Sequence, residues 1–404
     1  MPQVSPRRLE NVCRRTGVPG AVFDTQKGTR AMSQGTVQRY RGRAVPGRQA
    51  ATRDLRWVEV YRTLGIAGVV LAHTAELSYT AKTAQSWVSI LFSALLRFVV
   101  PGFFVVSGFL LRRGYKSLGG RFERKAFWKR ALGVLVIPFL AWNVIYMLMY
   151  YFLQDQPILT WNTLFQLTTG YMQMYFVFVL IQFFFIYSLL QRRLCRRNLN
   201  YVLVASAVGS FLFYLSSEVI LRLSGPDKSF FEWHYGKIFI AWGLFFFWGM
   251  WLCDHFEVFE RMSRRLIPMG LATALAFGVY FLELLREAHV YGYDARQYFL
   301  LAGLPFQFVA ANFVLVLLYR LDRPGKPPGY IVDSGRDTYG IYLSHLLVLS
   351  CLLALWGRVG MPDIFWAKVV LVAPLTWIIC QLAVRACRHP GLRYANRVLF
   401  GGHT

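Results

Sequence analysis

The 404 residues are 56% apolar and 17% aromatic, only 16% are charged, and mean hydropathy is +0.39. This composition excludes a soluble globular enzyme and points to a multi-span membrane protein, with the lipid bilayer as its first partner. The formal net charge of +25 would suit a nucleic-acid binder, but the basic residues sit in short blocks between apolar spans, so no nucleic acid is expected.

Residues 1–52 are rich in Arg, Gly, Gln, Ser and Thr and poor in apolar residues. They read as a basic, disordered cytoplasmic tail, with either a grazing contact to anionic lipid or no role beyond topology. About fifty polar residues precede the first apolar run, so no secretory signal peptide is expected.

Apolar windows of about 17–25 residues, the length that crosses a bilayer, then place ten helices. They lie at 57–78, 86–111, 131–153, 171–190, 201–221, 238–253, 266–284, 298–319, 338–356 and 365–386. Positive charge is concentrated after the second, fourth, sixth and eighth spans. The first of these loops carries Arg112, Arg113, Lys116, Arg121, Arg124, Lys125, Lys129 and Arg130. The opposite loops are nearly bare: 154–170 has no Lys or Arg, and 79–85 has only Lys82. The positive-inside rule then puts both termini in the cytoplasm. The expected fold is an all-α integral membrane protein: a bundle of about ten transmembrane helices at 53–390, followed by a short cytoplasmic tail at 391–404.

The first span, Trp57–Ser78, holds Arg62 and His73 inside an apolar run. They are eleven residues apart, which returns to within about 20° of one direction and roughly 16 Å along the axis. Glu59 and Glu76 fall within about 60° of the same line. Ionisable groups in lipid are costly and mark either a functional path or a polar stripe that holds a bundle together. His73 can take a proton from a hydroxyl and return it, with Glu76 one turn on to orient the ring. Its other reading is a buried histidine bonded for packing.

The second span holds Arg97 deep in its apolar run, and Pro101-Gly102 is expected to break that helix and free backbone to line a cavity. Ser107-Gly108 offers a small face for close helix approach. The alternative is a kinked packing helix. The following basic loop, with Phe127-Trp128 beside it, suits phosphates and a stacked base, although topology alone accounts for most of its charge. Tyr342 and His345 in the ninth span are i,i+3 neighbours that either share the His73 cavity or pack. His234 is expected to be solvated. The six cysteines show no CxxC and no Cys/His metal spacing, so neither a disulfide framework nor a metal is expected.

These segments together resemble the acyltransferase-3 family of bacterial multi-span membrane acyltransferases, over roughly residues 55–390. The resemblance rests on Arg62 with His73, on Pro101-Gly-Phe-Phe-Val-Val-Ser-Gly-Phe-Leu-Leu111, and on Phe127-Trp-Lys-Arg130 with Ile137-Pro138. Tyr175-Phe-Val-Phe-Val-Leu-Ile-Gln182 and Tyr339-Gly-Ile-Tyr-Leu-Ser-His345 complete it. It implies a transferase of groups other than aminoacyl groups, multi-pass in the bacterial inner membrane. The donor would be cytoplasmic acyl-CoA, most simply acetyl-CoA, with no bound cofactor. The acceptor would be a hydroxyl of a cell-envelope carbohydrate or glycolipid. On this reading His73, Arg62 and Glu76 are catalytic, and Arg130, Lys129, Arg124 and Trp128 bind the donor. Arg97, Ser107, Tyr342 and His345 line the cavity. One departure is that Ala131, Leu132 and Gly133 follow Arg130, where the family often repeats Arg in an Arg-x-x-Arg. No Ser nucleophile has a sequence signature, so direct attack with His73 as base is the simplest chemistry. Two rivals remain: a carrier or exporter of surface polysaccharide or lipid-linked glycan, and a structural membrane subunit.

Overall fold

The structure is a computed structural model that describes residues 55–78, 84–117, 122–154, 160–194, 196–223, 235–291, 299–322 and 329–402. The expected tail at 1–52, with Arg121, Cys195 and His234, lies outside these residues. The described residues contain helices and no strand. The helices are α1 Arg56–Leu77, α2 Ala84–Leu96, α3 Val99–Ser117, α4 Arg124–Ala131, α5 Ile137–Gln154, α6 Trp161–Thr169, α7 Tyr175–Leu190 and α8 Arg196–Leu223. They continue as α9 Phe239–Asp254, α10 Phe256–Ser263, α11 Leu266–Tyr291, α12 Gly303–Leu321, α13 Gly329–Arg358, α14 Ala373–Ala386 and α15 Arg393–Phe400.

Eight described helices are long and apolar enough to cross a membrane, or nine if α9 and α10, bent by 96° at His255, count as one span. Helix α1 falls outside that set because Arg62 and Glu76 dilute its hydropathy. Its 22 residues still extend ~33 Å.

Three boundaries differ from the sequence reading for identifiable reasons. The break expected at Pro101-Gly102 lies earlier, at Arg97-Phe98 between α2 and α3. Pro101 sits in the first turn of α3, where a missing N–H costs nothing. Gly102 instead makes room for the Tyr61 hydroxyl, which donates to Val99 O at 3.0 Å. The third span begins in α4 and passes through a π turn, Leu132–Val136, into α5. The wider turn accommodates Pro138, whose ring would clash with a regular α ladder, and a second π turn, Lys368–Val372, precedes Pro374 in the same way. Helix α13 starts nine residues before the expected 338, and the charges this adds are paired: Arg336 with Asp333 at 3.6 Å one turn away, and Asp337 with Arg385 and Arg388.

Close packing rests on small residues, as expected where lipid is as apolar as leucine. Gly108 of α3 meets the backbone of α9 at Phe246, and Gly249 of α9 meets the backbone of α3 at Val105. Phe183 and Phe246 stack beside this contact, with centroids 4.2 Å apart. Helices α1 and α13 run parallel, since Thr63 donates to Ile331 O at 2.6 Å while His73 lies against His345. The C-terminal stretch, expected as a tail, contains α15, which docks on α5 through Trp142 Nε1 donating to Leu399 O at 2.8 Å.

Candidate functional site

The polar stripe of α1 resolves into two pairs at opposite ends of one face. Arg62 donates to Glu59 Oε1 at 3.2 Å, and His73 Nδ1 lies 3.1 Å from Glu76 Oε2. Ser93 of α2 donates to the other oxygen, Glu76 Oε1, at 3.0 Å, so Glu76 is held from two helices. A carboxylate can only accept, so the Nδ1 contact requires the proton on Nδ1. That tautomer leaves the Nε2 lone pair of His73 as a base.

His345 is fully buried behind His73, with ring centroids 5.4 Å apart and tilted by 32°. Its Nδ1 is 2.7 Å from Tyr342 O, an acceptor, so here too the proton sits on Nδ1. Tyr342 in turn donates to Gln173 O.

Three adjoining cavities run along α1 from one pair to the other. The first, about 200 Å³, is lined by His73, Glu76, Ser93, Arg97, Gln173 and Tyr175. The second, about 240 Å³, shares Val69, Val100, Phe176 and Tyr342 with it and adds Ser107 and Arg62. The third, about 590 Å³, shares Arg62, Ser107, Leu110 and Leu135 with the second and ends among Tyr115, Phe122, Phe127 and Arg130. Of the residues expected to line a cavity, Arg97, Ser107 and Tyr342 do so, and His345 backs the His73 ring.

The expected donor-binding residues are not all brought together. Arg130 lines the third cavity with Arg62. Lys129 and Arg124 are exposed on α4 outside that lining, and Trp128 packs edge-on against Phe127, centroids 5.7 Å apart. The basic loop is also less free than its composition suggests. Arg112 is buried and grips Asp254 through Nε at 3.0 Å and Nη2 at 2.7 Å, with Lys116 Nζ joining at 2.7 Å. These two cations share the one Asp254 carboxylate of α9, so the basic residues left for a ligand are those of α4.

Several functional-looking residues carry no signal that spacing alone reveals. Asp337 is buried in α13 and takes Arg385 Nε at 2.9 Å, Arg388 Nη2 at 2.5 Å and Gln381 Nε2 at 3.3 Å, all from or just beyond α14. This fastening fixes the helix that carries Tyr342 and His345. Gln182, in the Tyr175–Gln182 run, lines none of these three cavities. It staples α7 to the start of α9, donating to Lys237 O at 2.7 Å and accepting from Phe239 N at 3.1 Å.

The turn between α6 and α7 was also not foreseen. Gly170 has φ +98° with no room for a Cβ against Met174, and Met172 has φ +35°, rare for a residue with a side chain. Buried Lys237 clamps this turn, donating to Gly170 O at 2.8 Å and Thr169 Oγ1 at 3.1 Å. Burial pushes its ammonium down to about 8. The turn delivers Gln173 to the His73 cavity.

Among the described residues no group of three or more His, Cys, Asp or Glu side chains could hold a metal ion. A family model described as an acyltransferase domain matches residues 55–385. Neither a curated protein nor a solved structure matches the chain.

Proposed function

The chain belongs to the acyltransferase-3 family, a multi-pass membrane acyltransferase, and from that premise we propose which group it moves, from what and to what. The donor is acyl-CoA, most simply acetyl-CoA, entering from the cytoplasm at the Arg130 end. The acceptor is a hydroxyl of a cell-envelope glycan or glycolipid, reaching His73 from the opposite face of a bacterial inner membrane. In this topology all ten apolar stretches cross and both termini are cytoplasmic.

The observation that carries the reading is the line of adjoining cavities from Arg130 past Arg62 to His73. CoA has a phosphorylated, nucleotide-bearing head and a long, narrow arm ending in the thioester. A cationic, aromatic mouth suits the head. A slender passage suits the arm and brings the thioester across the bundle to the His73 base.

The chemistry then needs little more than the α1 pairs. His73 Nε2 takes the proton from the acceptor hydroxyl as its oxygen attacks the thioester carbonyl. Glu76 stabilises the imidazolium through Nδ1–H, as a carboxylate does for a histidine base. The tetrahedral intermediate collapses by breaking the C–S bond, and the departing CoA thiolate recovers the proton from His73. The ester leaves on one face and CoA on the other.

A polysaccharide carrier would use the same passage, but it has no need of a His–Glu pair fixed by Ser93. Two measurements test the reading together: mass spectrometry of envelope glycans from cells with and without the protein, and release of free CoA by the purified protein. Loss of an acyl mark, with acceptor-dependent thioester cleavage, is expected. Unchanged acylation with undiminished surface glycan, or altered export without any thioester cleavage, overturns it.

A further inference from the structure

A further cavity, about 930 Å³, shares no lining residue with the three that follow α1. It is an open groove on α8, α9, α11 and α12. Helix α8 is tied to α9 by Ser210, which donates to Ile240 O at 2.8 Å. Helix α11 leans on α12, with Tyr280 stacked on Phe306, centroids 5.4 Å apart. The groove lies between the two pairs, floored by Leu244, Leu304 and Phe308. Its rims are Phe211 of α8 and Val279 and Leu282 of α11, all exposed. Helices α8, α11 and α12 are each long and apolar enough to cross a membrane, so the groove opens towards lipid.

One end of the groove is polar, and Glu218 of α8 lines it with Glu283 and Arg286 of α11. The two carboxylates are anchored on the chain entering α12. Glu218 Oε2 accepts from Leu301 N at 3.4 Å, and Glu283 Oε2 accepts from Ala302 N at 3.3 Å. Glu218 is buried, Glu283 is half-buried and Arg286 is exposed at the rim. The other end is apolar, at Ala207 and Leu244. Along α8 the step from Glu218 to Ala207 is ~16 Å. That is about half of the ~30 Å hydrocarbon core, the depth of a single leaflet.

The depth and the apolar walls match one acyl chain, and the polar end defines the head. A phosphate suits the Arg286 guanidinium, but two carboxylates beside it repel an anion that carries no cation of its own. A carboxylate only accepts, and each oxygen has two lone pairs, so both glutamates can take an N–H donor in addition to the backbone. A phospholipid with a primary ammonium headgroup has all three parts in the right order: chain, phosphate, then a cation with three N–H donors. We propose that the groove between α8 and α11 is a binding site for such a lipid, a phosphatidylethanolamine. One acyl chain follows the groove to Ala207, the phosphate meets Arg286, and the ammonium meets Glu218 and Glu283. The lipid is a fixed part of the bundle rather than a substrate, so the proposal does not depend on the acyl-transfer reading.

The test uses the full-length protein, purified in a non-ionic detergent and offered equal amounts of dioleoyl phosphatidylethanolamine and dioleoyl phosphatidylglycerol. Native mass spectrometry counts the lipid retained. The two lipids share chains and phosphate and differ in the ammonium. Wild type is expected to prefer phosphatidylethanolamine by about three- to tenfold, the scale of partly exposed charge pairs. Glu218→Gln combined with Glu283→Gln should bring that preference below about twofold. Ala207→Trp fills the apolar end and should lower retention of both lipids by about threefold or more, through lost chain burial. Val208→Trp, at the next residue but outside the lining, should leave retention unchanged. Leu282→Phe replaces Ala207→Trp should that variant fold poorly. Equal retention of the two lipids by wild type overturns the proposal. So does a preference that survives the paired glutamine variant, or a loss that is the same in Ala207→Trp and Val208→Trp.

Discussion

The imidazoles of His73 and His345 lie 5.4 Å apart, each with its Nδ1 engaged, one by the Glu76 carboxylate and the other by the Tyr342 carbonyl. Two helices far apart in sequence thus present the same tautomer side by side, and only His73 lines the cavity. This asymmetry separates a base from its backing.

His73→Ala is expected to leave the protein inserted and to lower transfer by roughly 100- to 10,000-fold, about 3–5 kcal/mol of barrier. Glu76→Gln should cost less, because the amide still holds the ring but no longer balances the imidazolium. His345→Ala should also cost less than His73→Ala. Single-turnover release of CoA from acyl-CoA by the three variants, at matched expression, checks the ranking. A well-expressed His73→Ala protein with full activity removes the acid–base mechanism.

Asp337→Ala is expected to destabilise the bundle by about 2–4 kcal/mol, since it strands Arg385 and Arg388. The figure sits below the full cost of a broken buried pair because both arginines are about one-third exposed and can rehydrate. Thermal unfolding in detergent reports it, and a melting temperature equal to that of wild type would refute it.

Lys237 makes a prediction about pH. Burial holds its ammonium at about 8 in the folded protein, below the ordinary lysine value of 10.5. Between those values the unfolded chain binds more protons than the folded one, so stability rises with pH across that window. Wild type should therefore gain more stability than Lys237→Met when the pH is raised from 8 to 10. Parallel denaturation curves for the two proteins at both pH values would show that the ammonium is not penalised.

Much of this was legible because two periodicities coincide on α1. A turn of 3.6 residues places Arg62 and His73 on one face, and i,i+3 spacing pairs His73 with Glu76. The Ser107-Gly108 step was legible for half its role: Gly108 makes the close approach and Ser107 faces the cavity. What sequence could not convey were contacts between distant elements. Nothing near Arg112 announces that Asp254 neutralises it, and nothing near Asp337 announces Arg385. Gln173 sits in an apolar run as an unremarked polar residue, and its placement depends on a left-handed Met172 that no propensity foresees. The Pro101 break was misplaced for a local reason, since a proline in the first helical turn ends nothing.

Orientation is testable without substrate. In the proposed topology α4 and α10 would lie on the cytoplasmic face and the start of α6 on the other. In a background without native cysteines, Thr160→Cys should react with a membrane-impermeant maleimide applied from outside, and Glu257→Cys should react only after permeabilisation. Both side chains' neighbourhoods are exposed, Trp161 at 88% and Glu257 at 57%. The reverse pattern would invert the proposed entry sides of donor and acceptor.

The donor site gives the last prediction. The third cavity offers Arg130 and Arg62 with Phe122, Phe127 and Tyr115, while Lys129 and Arg124 point elsewhere. Arginine meets phosphate through a planar fork and lysine acts as a point charge, so Arg130 should outweigh its basic neighbours on both position and chemistry. Arg130→Ala is expected to weaken acyl-CoA binding by roughly 1–3 kcal/mol, the range for hydrogen bonds to charged groups. Lys129→Ala and Arg124→Ala should each cost less than about 1 kcal/mol, acting through screened long-range attraction. The Arg130 effect should shrink as salt rises, because its guanidinium is exposed at the mouth. Arg62, deeper along the passage and paired with Glu59, should respond to salt less and lower turnover or folding instead. Titration of acyl-CoA against the purified variants at two ionic strengths separates these outcomes. Equal affinities for wild type and Arg130→Ala at both would take α4 out of the donor site and leave its charge as a signal of topology alone.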